Sequence, residues 1–160
     1  EYSPEYLEDV LTAAASLAAV ALAQRHMVGL CANAQGVEGQ EWVMLHPGRH
    51  PDQARQLLTA MAMLSPFPGL SLAAALHRLQ PRLPYGATVV VITARPGEEV
   101  YERLFALDTA GHGVILLTVG DEEPGVPETL RHHHLGGRDA ALHATALDPT
   151  PQPHEALSLA

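Results

Sequence analysis

The most conspicuous group of potentially reactive side chains is the run His132-His133-His134. Imidazole is a common metal ligand and a common general base near neutral pH. Adjacent residues cannot all aim at one ion, however, and neither a cysteine nor an acidic residue stands at a ligand spacing from them. We therefore interpret the run as a solvated loop, in which residues 128–134 can form a short helical turn, and we predict no metal site; the alternative is an adventitious metal contact.

Other residues of catalytic types are scattered along the chain. His46, His50 and His77 fall on different predicted elements, and none stands at a recognised spacing from an acid or a nucleophile. Cys31 lies in an apolar segment, which is typical of a small core residue. The common phosphate-binding glycine loops are missing from the sequence, and residues 69–73 (GLSLA) lack the second glycine of a nucleophile elbow. The sequence predicts no catalytic residue and no cofactor.

The elements that must position any site begin with the run Val89-Val90-Val91-Ile92, which stands between turn residues. An apolar β-branched run without alternation predicts a strand covered on both faces. Residues 26–33 and 113–120 form similar runs, and residues 41–46 predict an edge strand. Helices are predicted over residues 3–25, 52–64, 71–79 and 96–111. Ser71 is expected to cap the third, and Val100, Leu104 and Leu107 are expected to form the core-facing stripe of the fourth. The side chains expected to be almost fully buried are Val28, Leu30, Val90, Ile92, Ile115 and Leu117.

This order of elements predicts an α/β fold, a doubly wound and mainly parallel sheet with helices on both faces. The first helix and the strand after it form the second half of a βαβ unit, which implies a strand ahead of residue 1. We expect residues 27–33 to pair directly with residues 87–94; the alternative is a segment from another chain between them. Residues 1–120 are interpreted as the core, and residues 121–160 as a C-terminal extension with an edge strand over 140–147 and a loop-rich tail.

Ligands of doubly wound sheets bind at the carboxyl ends of the strands. The loops predicted there span residues 33–36, 93–97 and 120–123. Asn33, Thr93 and Arg95 are the polar side chains that we expect to contact a partner. The alternative interpretation is that Thr93 satisfies nearby main-chain groups and that Arg95 is simply solvated.

Composition narrows the class of partner. The 160-residue chain is long enough for one domain with a substantial core, and its net charge is −9 with histidine neutral. All nine cationic residues are arginine. An acidic chain of this kind argues against binding to nucleic acid or to an anionic membrane surface. The longest apolar run, residues 13–23, is too short to span a bilayer.

Three segments carry a resemblance to a known family. Residues 8–18 (EDVLTAAASLA), 28–30 (VGL) and 83–93 (LPYGATVVVIT) resemble the bacterial "domain of unknown function 58" family, over roughly residues 5–120. The resemblance implies a von Willebrand factor A-like fold, of which this chain is the part after the first strand. It also implies contact with proteins rather than catalysis, and a MoxR-type AAA+ ATPase as the partner. Membrane segments upstream in family members imply a place on the cytoplasmic face of a bacterial membrane, or in the cytoplasm.

Domains of this kind can bind Mg²⁺ through an Asp-x-Ser-x-Ser loop, a threonine and a later aspartate. By the resemblance, the first element would precede residue 1, Ser71 falls near the threonine position, and Ala94 or Arg95 stands at the aspartate position. Without those carboxylates the ion has too few hard ligands. Ser71 therefore joins the expected partner contacts. We expect a non-enzymatic protein–protein interaction module; the alternative is a small α/β enzyme or nucleotide-binding domain whose key loop lies upstream of residue 1.

Overall fold

The computed structural model describes residues 6–67 and 69–136. The helices are α1 (Leu7–Ala23), α2 (Gln53–Ala62), α3 (Leu72–Leu79) and α4 (Glu98–Thr109), with short 3-10 helices at Val37–Gly39 and Gln80–Arg82. The strands are β1 (Val28–Ala32), β2 (Val43–Gly48), β3 (Thr88–Thr93), β4 (Gly113–Val119) and β5 (His132–Leu135). None of these helices is long and apolar enough to cross a membrane.

A three-stranded parallel sheet in the order β3-β4-β5 forms the centre of this mixed α/β structure. The strands predicted from the two apolar runs are confirmed, and β3 pairs with β4 in register from Thr88 with Gly113 to Thr93 with Thr118. Helix α4 makes the crossover between them, and it is followed by Gly111 at a φ of 90°. A left-handed backbone of this kind favours glycine, which explains why the helix stops there.

One face of the sheet packs against α3 and α4. Val89, Val91 and Leu116 from the strands share a buried cluster with Leu76 and Leu104 from the two helices. The predicted stripe of α4 is confirmed, since Val100, Leu104 and Leu107 are all buried. This face supplies the larger part of the buried core.

The other face of the sheet is covered less completely. Ala13 of α1 packs there with Leu117 and Val119, and Ala13 is the buried residue of that helix. The expectation of full burial is correct for Leu117 but wrong for Val90, Ile92 and Ile115, which are half-buried. In the part of the chain that the structure describes, α1 is the helix that covers this side, and it meets the sheet through Val10, Ala13 and Leu17.

The N-terminal strands depart from the predicted pairing. Residues 28–32 form β1, but β1 pairs antiparallel with β2 in a separate two-stranded sheet. The expected direct pairing of β1 with β3 is therefore wrong. Val28 and Leu30 are half-buried rather than buried, because β1 lies outside the central sheet.

The histidine run is a strand rather than a loop. Residues 132–135 form β5, which pairs in parallel with β4 from Leu116 with His132 to Val119 with Leu135. The solvated-loop interpretation is wrong because the neighbouring strand offers both main-chain partners and a buried hydroxyl to the imidazoles. The central sheet thus receives a strand from beyond residue 120. The edge strand predicted over residues 140–147 lies outside the described residues, as does the predicted helix start at residues 3–5.

Candidate functional site

Polar side chains form a row across the sheet near the carboxyl ends of its strands. Thr93 of β3 is in register with Thr118 of β4, which is in register with His134 of β5. Residues in register on parallel strands project to the same face. His132 lies two residues before His134 and shares that face, which is the one covered by α3 and α4.

The hydroxyl of Thr118 connects the two imidazoles. Its Oγ1 lies 2.7 Å from Nε2 of His132 and 2.9 Å from Nδ1 of His134. A hydroxyl donates one proton and can accept others, so one ring nitrogen accepts from Thr118 while the other donates to it. The tautomers of the two histidines are therefore coupled through a side chain that is 0% exposed.

The environment keeps His132 neutral. Burial lowers the pKa of His132, and the neighbouring His134 and His133 lower it further, whereas Glu123 acts in the opposite direction. Oε1 of Glu123 lies 3.9 Å from Nδ1 of His132, but this carboxylate is 66% exposed and its attraction is weakened by solvent. Desolvation prevails, and the imidazole is uncharged at neutral pH.

Thr118, His132 and Glu123 follow one another in space in the same order as the nucleophile, base and acid of a catalytic triad. The hydroxyl is sealed beneath the sheet surface, however, and a nucleophile has to reach its substrate. Tyr101 of α4 closes the same region, because its hydroxyl donates to the carbonyl of Gly125 at 3.1 Å. Chemically, the cluster can exchange a proton between two imidazoles and hold β5 against β4.

Two of the predicted partner contacts lie close together at the junction between β1 and α3. The side-chain amide of Asn33 donates to the carbonyl of Leu70 at 3.2 Å, and the Asn33 carbonyl accepts from the amide of Gly69 at 2.9 Å. Ser71 caps α3, since its Oγ accepts from the amide of Ala74 at 3.1 Å. Both side chains serve the local structure: Asn33 fixes the segment that enters α3, and Ser71 begins the helix.

The other two predicted contacts lie at the end of β3. Thr93 is half-buried beside Thr118 in the polar row, and Arg95 is exposed two residues further on. The structure therefore divides the four predicted residues into one group at the β1–α3 junction and another at the carboxyl edge of the central sheet. Of the four, Thr93 is the residue in register with Thr118 of the histidine cluster.

Sequence reasoning missed the buried amide of Gln53. Gln53 is 2% exposed, and its Nε2 donates to the carbonyls of Val28 at 2.7 Å and His46 at 3.0 Å. One amide group thus joins the start of α2 to both strands of the small sheet. The signal in the sequence is that Gln53 stands four residues before Leu57, on the apolar face of α2. A single glutamine at such a position is easily taken for an ordinary polar residue.

The thiol of Cys31 is held in its protonated form. Burial raises the pKa of Cys31 to about 11, although the positive charge of Arg82 opposes the shift. Since the thiolate is the reactive species, this residue is a poor nucleophile at neutral pH. Arg82 instead lies over the ring of Trp42, at 5.2 Å from the ring centre.

An open groove lies between α1 and α2. Its walls are apolar and come from both helices and the segment after α2; they include Leu7, Leu11, Ala15, Leu58, Met61 and Pro66. Leu58, one of these lining residues, is 55% exposed. Glu8 and Thr12 contribute the polar part of the lining.

No protein family, curated protein or solved structure matches this chain. Within residues 6–67 and 69–136, no group of three or more His, Cys, Asp or Glu side chains is arranged to hold a metal ion.

Proposed function

We propose that this protein is a non-enzymatic protein–protein interaction module. The observation that carries the proposal is the apolar surface formed by α1, α2 and the segment after α2. Large apolar side chains that cluster at a groove, rather than standing singly on the surface, are typical of interaction sites. Here Leu58, which is 55% exposed, lines the groove together with Leu7, Leu11 and Pro66.

The surface favours an apolar docking segment. The groove between α1 and α2 is lined by aliphatic side chains, and Glu8 supplies its carboxylate. The whole chain carries a net charge of −9. A partner with apolar anchors and a basic rim therefore complements this surface, because the anchors fill the groove while the rim is attracted to the acidic surroundings.

The identity of the partner rests on the resemblance described above. Residues 8–18, which contribute to α1, are part of the segments that resemble the "domain of unknown function 58" family. That resemblance supports a von Willebrand factor A-like fold, a MoxR-type AAA+ ATPase as the partner, and a place on the cytoplasmic face of a bacterial membrane or in the cytoplasm. These statements are proposed together, since they stand on the same segments.

The test is direct binding to the purified MoxR-type ATPase encoded in the same genome. We expect saturable binding by calorimetry, weakened at least about tenfold by the exchange Leu58→Glu, which places a charge in the groove. Tyr85→Glu is the matched control, because Tyr85 is fully exposed on a distant turn. Absence of binding, or equal loss in both variants, contradicts the proposal.

A second candidate is a small α/β enzyme or nucleotide-binding domain whose key loop lies upstream of residue 1. Thr93 and Arg95 favour it, because they lie at the carboxyl end of β3, where such folds bind ligands. Titration with ATP and GTP of the protein that includes the residues upstream of residue 1, followed by the amide shifts of Thr93 and Gly120, separates the two candidates. A saturable shift supports the second, and unchanged spectra support the first.

A further inference from the structure

We propose that Arg78, Arg82 and Trp42 form a second binding surface, which accepts a short acidic segment of a partner protein. The inference is independent of the groove between α1 and α2, because the two surfaces have no lining residue in common. It rests on a shallow depression at Trp42, on two guanidinium groups beside it, and on a carboxylate of this chain that already pairs with one of them.

The depression lies between the start of β2 and the end of α3. It is lined by Gln40, Glu41, Trp42, Met44 and Arg78. The side chains of Trp42 and Met44 are half-buried, so part of each remains open to a partner. Tryptophan, methionine and arginine are the residue types enriched in protein interfaces, and tryptophan and arginine often dominate the binding energy. The depression therefore has the composition of a binding surface for protein.

The guanidinium group of Arg82 is held in place beside this depression. Its Cζ lies 5.2 Å from the centre of the Trp42 ring, which is within the range of a cation–π contact. Its Nη1 donates to the carbonyl of Arg78 at 2.6 Å, near the end of α3. The other N–H groups of the guanidinium donate to no acceptor among residues 6–67 and 69–136. A guanidinium that is already positioned loses less side-chain entropy when it binds a carboxylate.

Positive charge is concentrated here on a chain whose net charge is −9. Arg78 and Arg82 stand four residues apart, a spacing at which like charges on a helix repel each other. Within the part of the chain that the structure describes, no carboxylate lies at ion-pair distance from Arg82. An acidic segment bound between the two arginines removes this repulsion, which a neutral segment cannot do.

Glu41 indicates which chemical group the depression accepts. Its Oε2 lies 3.6 Å from Nη1 of Arg78, and the two side chains are 63% and 47% exposed. An ion pair as exposed as this one contributes little to stability, because solvent screens it. A carboxylate from a partner can therefore replace Glu41 at Arg78, and a second carboxylate can bind Arg82 with the bidentate geometry that a guanidinium favours.

The spacing of the two arginines fits an extended peptide. Four residues rise about 6–8 Å along an α-helix or a 3-10 helix, and side chains on one face of an extended chain repeat about every 6.6 Å. Glutamates at alternate positions can thus pair with Arg78 and Arg82, while an apolar side chain further along the same face contacts Trp42 and Met44. A nucleic acid fits less well, because the acidic chain as a whole repels its phosphates.

The test follows the fluorescence of Trp42, the one tryptophan of the 160-residue chain. The probe is a short peptide with glutamates and one leucine at alternate positions and serines between them, and the control peptide has glutamine in place of every glutamate. We expect a saturable change with the first peptide and no change with the second. Arg82→Gln should weaken binding at least about tenfold, because charge-assisted hydrogen bonds are lost. Arg55→Gln is the matched control, since Arg55 is exposed on α2 and pairs with Asp52.

Glu41→Gln supplies an effect of the opposite sign, which a purely structural role of Arg82 does not predict. Without the competing carboxylate the acidic peptide should bind about two- to fivefold more tightly. An unchanged or weaker affinity in Glu41→Gln overturns the proposal, as does an equal response to the glutamine peptide. Unchanged binding by Arg82→Gln, or an equal loss in Arg55→Gln, also overturns it. Tighter binding of a single-stranded oligonucleotide than of the acidic peptide overturns the choice of a protein partner.

Discussion

The side-chain oxygen of Thr118 lies 2.7 Å from Nε2 of His132, a residue on the neighbouring strand. The Thr118 side chain is completely buried, and it also lies within hydrogen-bonding distance of His134. The strand β5 is thus attached to β4 by side chains as well as by its main-chain ladder. Since β5 is short, these side-chain bonds account for a substantial share of its attachment.

Replacing Thr118 with valine tests that attachment. Valine keeps the shape of threonine but removes the hydroxyl, which leaves two imidazole nitrogens facing an apolar group. We expect the free energy of unfolding to fall by about 1–3 kcal/mol, measured by urea denaturation. Thr88→Val is the control, because Thr88 is exposed on the same sheet. An equal effect of the two substitutions would contradict the role assigned to Thr118.

The low pKa of His132 makes stability depend on pH. In the unfolded chain a histidine takes up its proton near pH 6.5, whereas burial keeps folded His132 neutral to lower pH. The unfolded state therefore binds more protons below about pH 6.5. We expect the free energy of unfolding to decrease with falling pH in that range, by up to about 1.4 kcal/mol per pH unit for this group, until folded His132 also titrates.

Two variants isolate this contribution from that of the other histidines. His132→Gln removes the titrating group, so its stability should vary less with pH below about pH 6.5, where the unfolded chain takes up the proton before folded His132 does. His50→Gln is the matched control, because His50 is exposed on the loop before α2, outside the Thr118 cluster, and its replacement should leave the profile of the natural protein. Identical pH profiles for all three proteins would contradict the assignment of this pH dependence to His132.

A substitution at Gln53 should make the stability depend on pH in the direction opposite to that expected for His132. Gln53→Glu places a carboxylate against the carbonyls of Val28 and His46, where two N–H donors stood. We expect a loss on the order of 3 kcal/mol at neutral pH. Burial raises the pKa of the new carboxyl, so the variant should recover stability relative to the natural protein as the pH falls. Gln56→Glu, on the exposed side of α2, should show neither effect.

The unequal faces of the sheet predict unequal costs of truncation. Leu116→Ala removes a fully buried side chain from the α3–α4 face and should cost about 2–5 kcal/mol. Ile92→Ala on the α1 face should reduce the free energy of unfolding by less, because Ile92 is only partly buried. Chemical denaturation of both variants compares the faces directly, and a larger cost for Ile92→Ala would refute the unequal coverage.

The local sequence pattern was sufficient to predict a helix or strand where one physical signal dominated. The β-branched run of β3, the apolar run of β4, the serine cap of α3 and the stripe of α4 each predicted an element that the structure confirms. Pairing between β1 and β3 was not predictable in this way. It depends on the edges that remain free after folding, and the pattern of a single strand does not encode its neighbour.

The candidate site was only partly visible in the sequence. Thr93 was found because it ends an apolar strand. Thr118 was overlooked because it is one polar residue inside an apolar run, and His132 because consecutive histidines have the polarity of a loop. Successive side chains of a strand point to opposite faces, which explains why the loop interpretation failed. His132 and His134 face the buried hydroxyl of Thr118, while Leu135 packs in the core on the other face of the sheet. A lone threonine in a buried strand is the signal that would have indicated a polar partner nearby.

The edge of β3 opposite β4 bonds to no other strand within residues 6–67 and 69–136. The most direct test of this edge is amide hydrogen exchange of the chain at low concentration. The pairing with β4 predicts an alternating pattern, with slow exchange at Val89 and Val91 and exchange at least about tenfold faster at Val90 and Ile92. Equal protection at all four amides in the monomer would contradict the account, because it would mean that a segment of the same chain already occupies that edge.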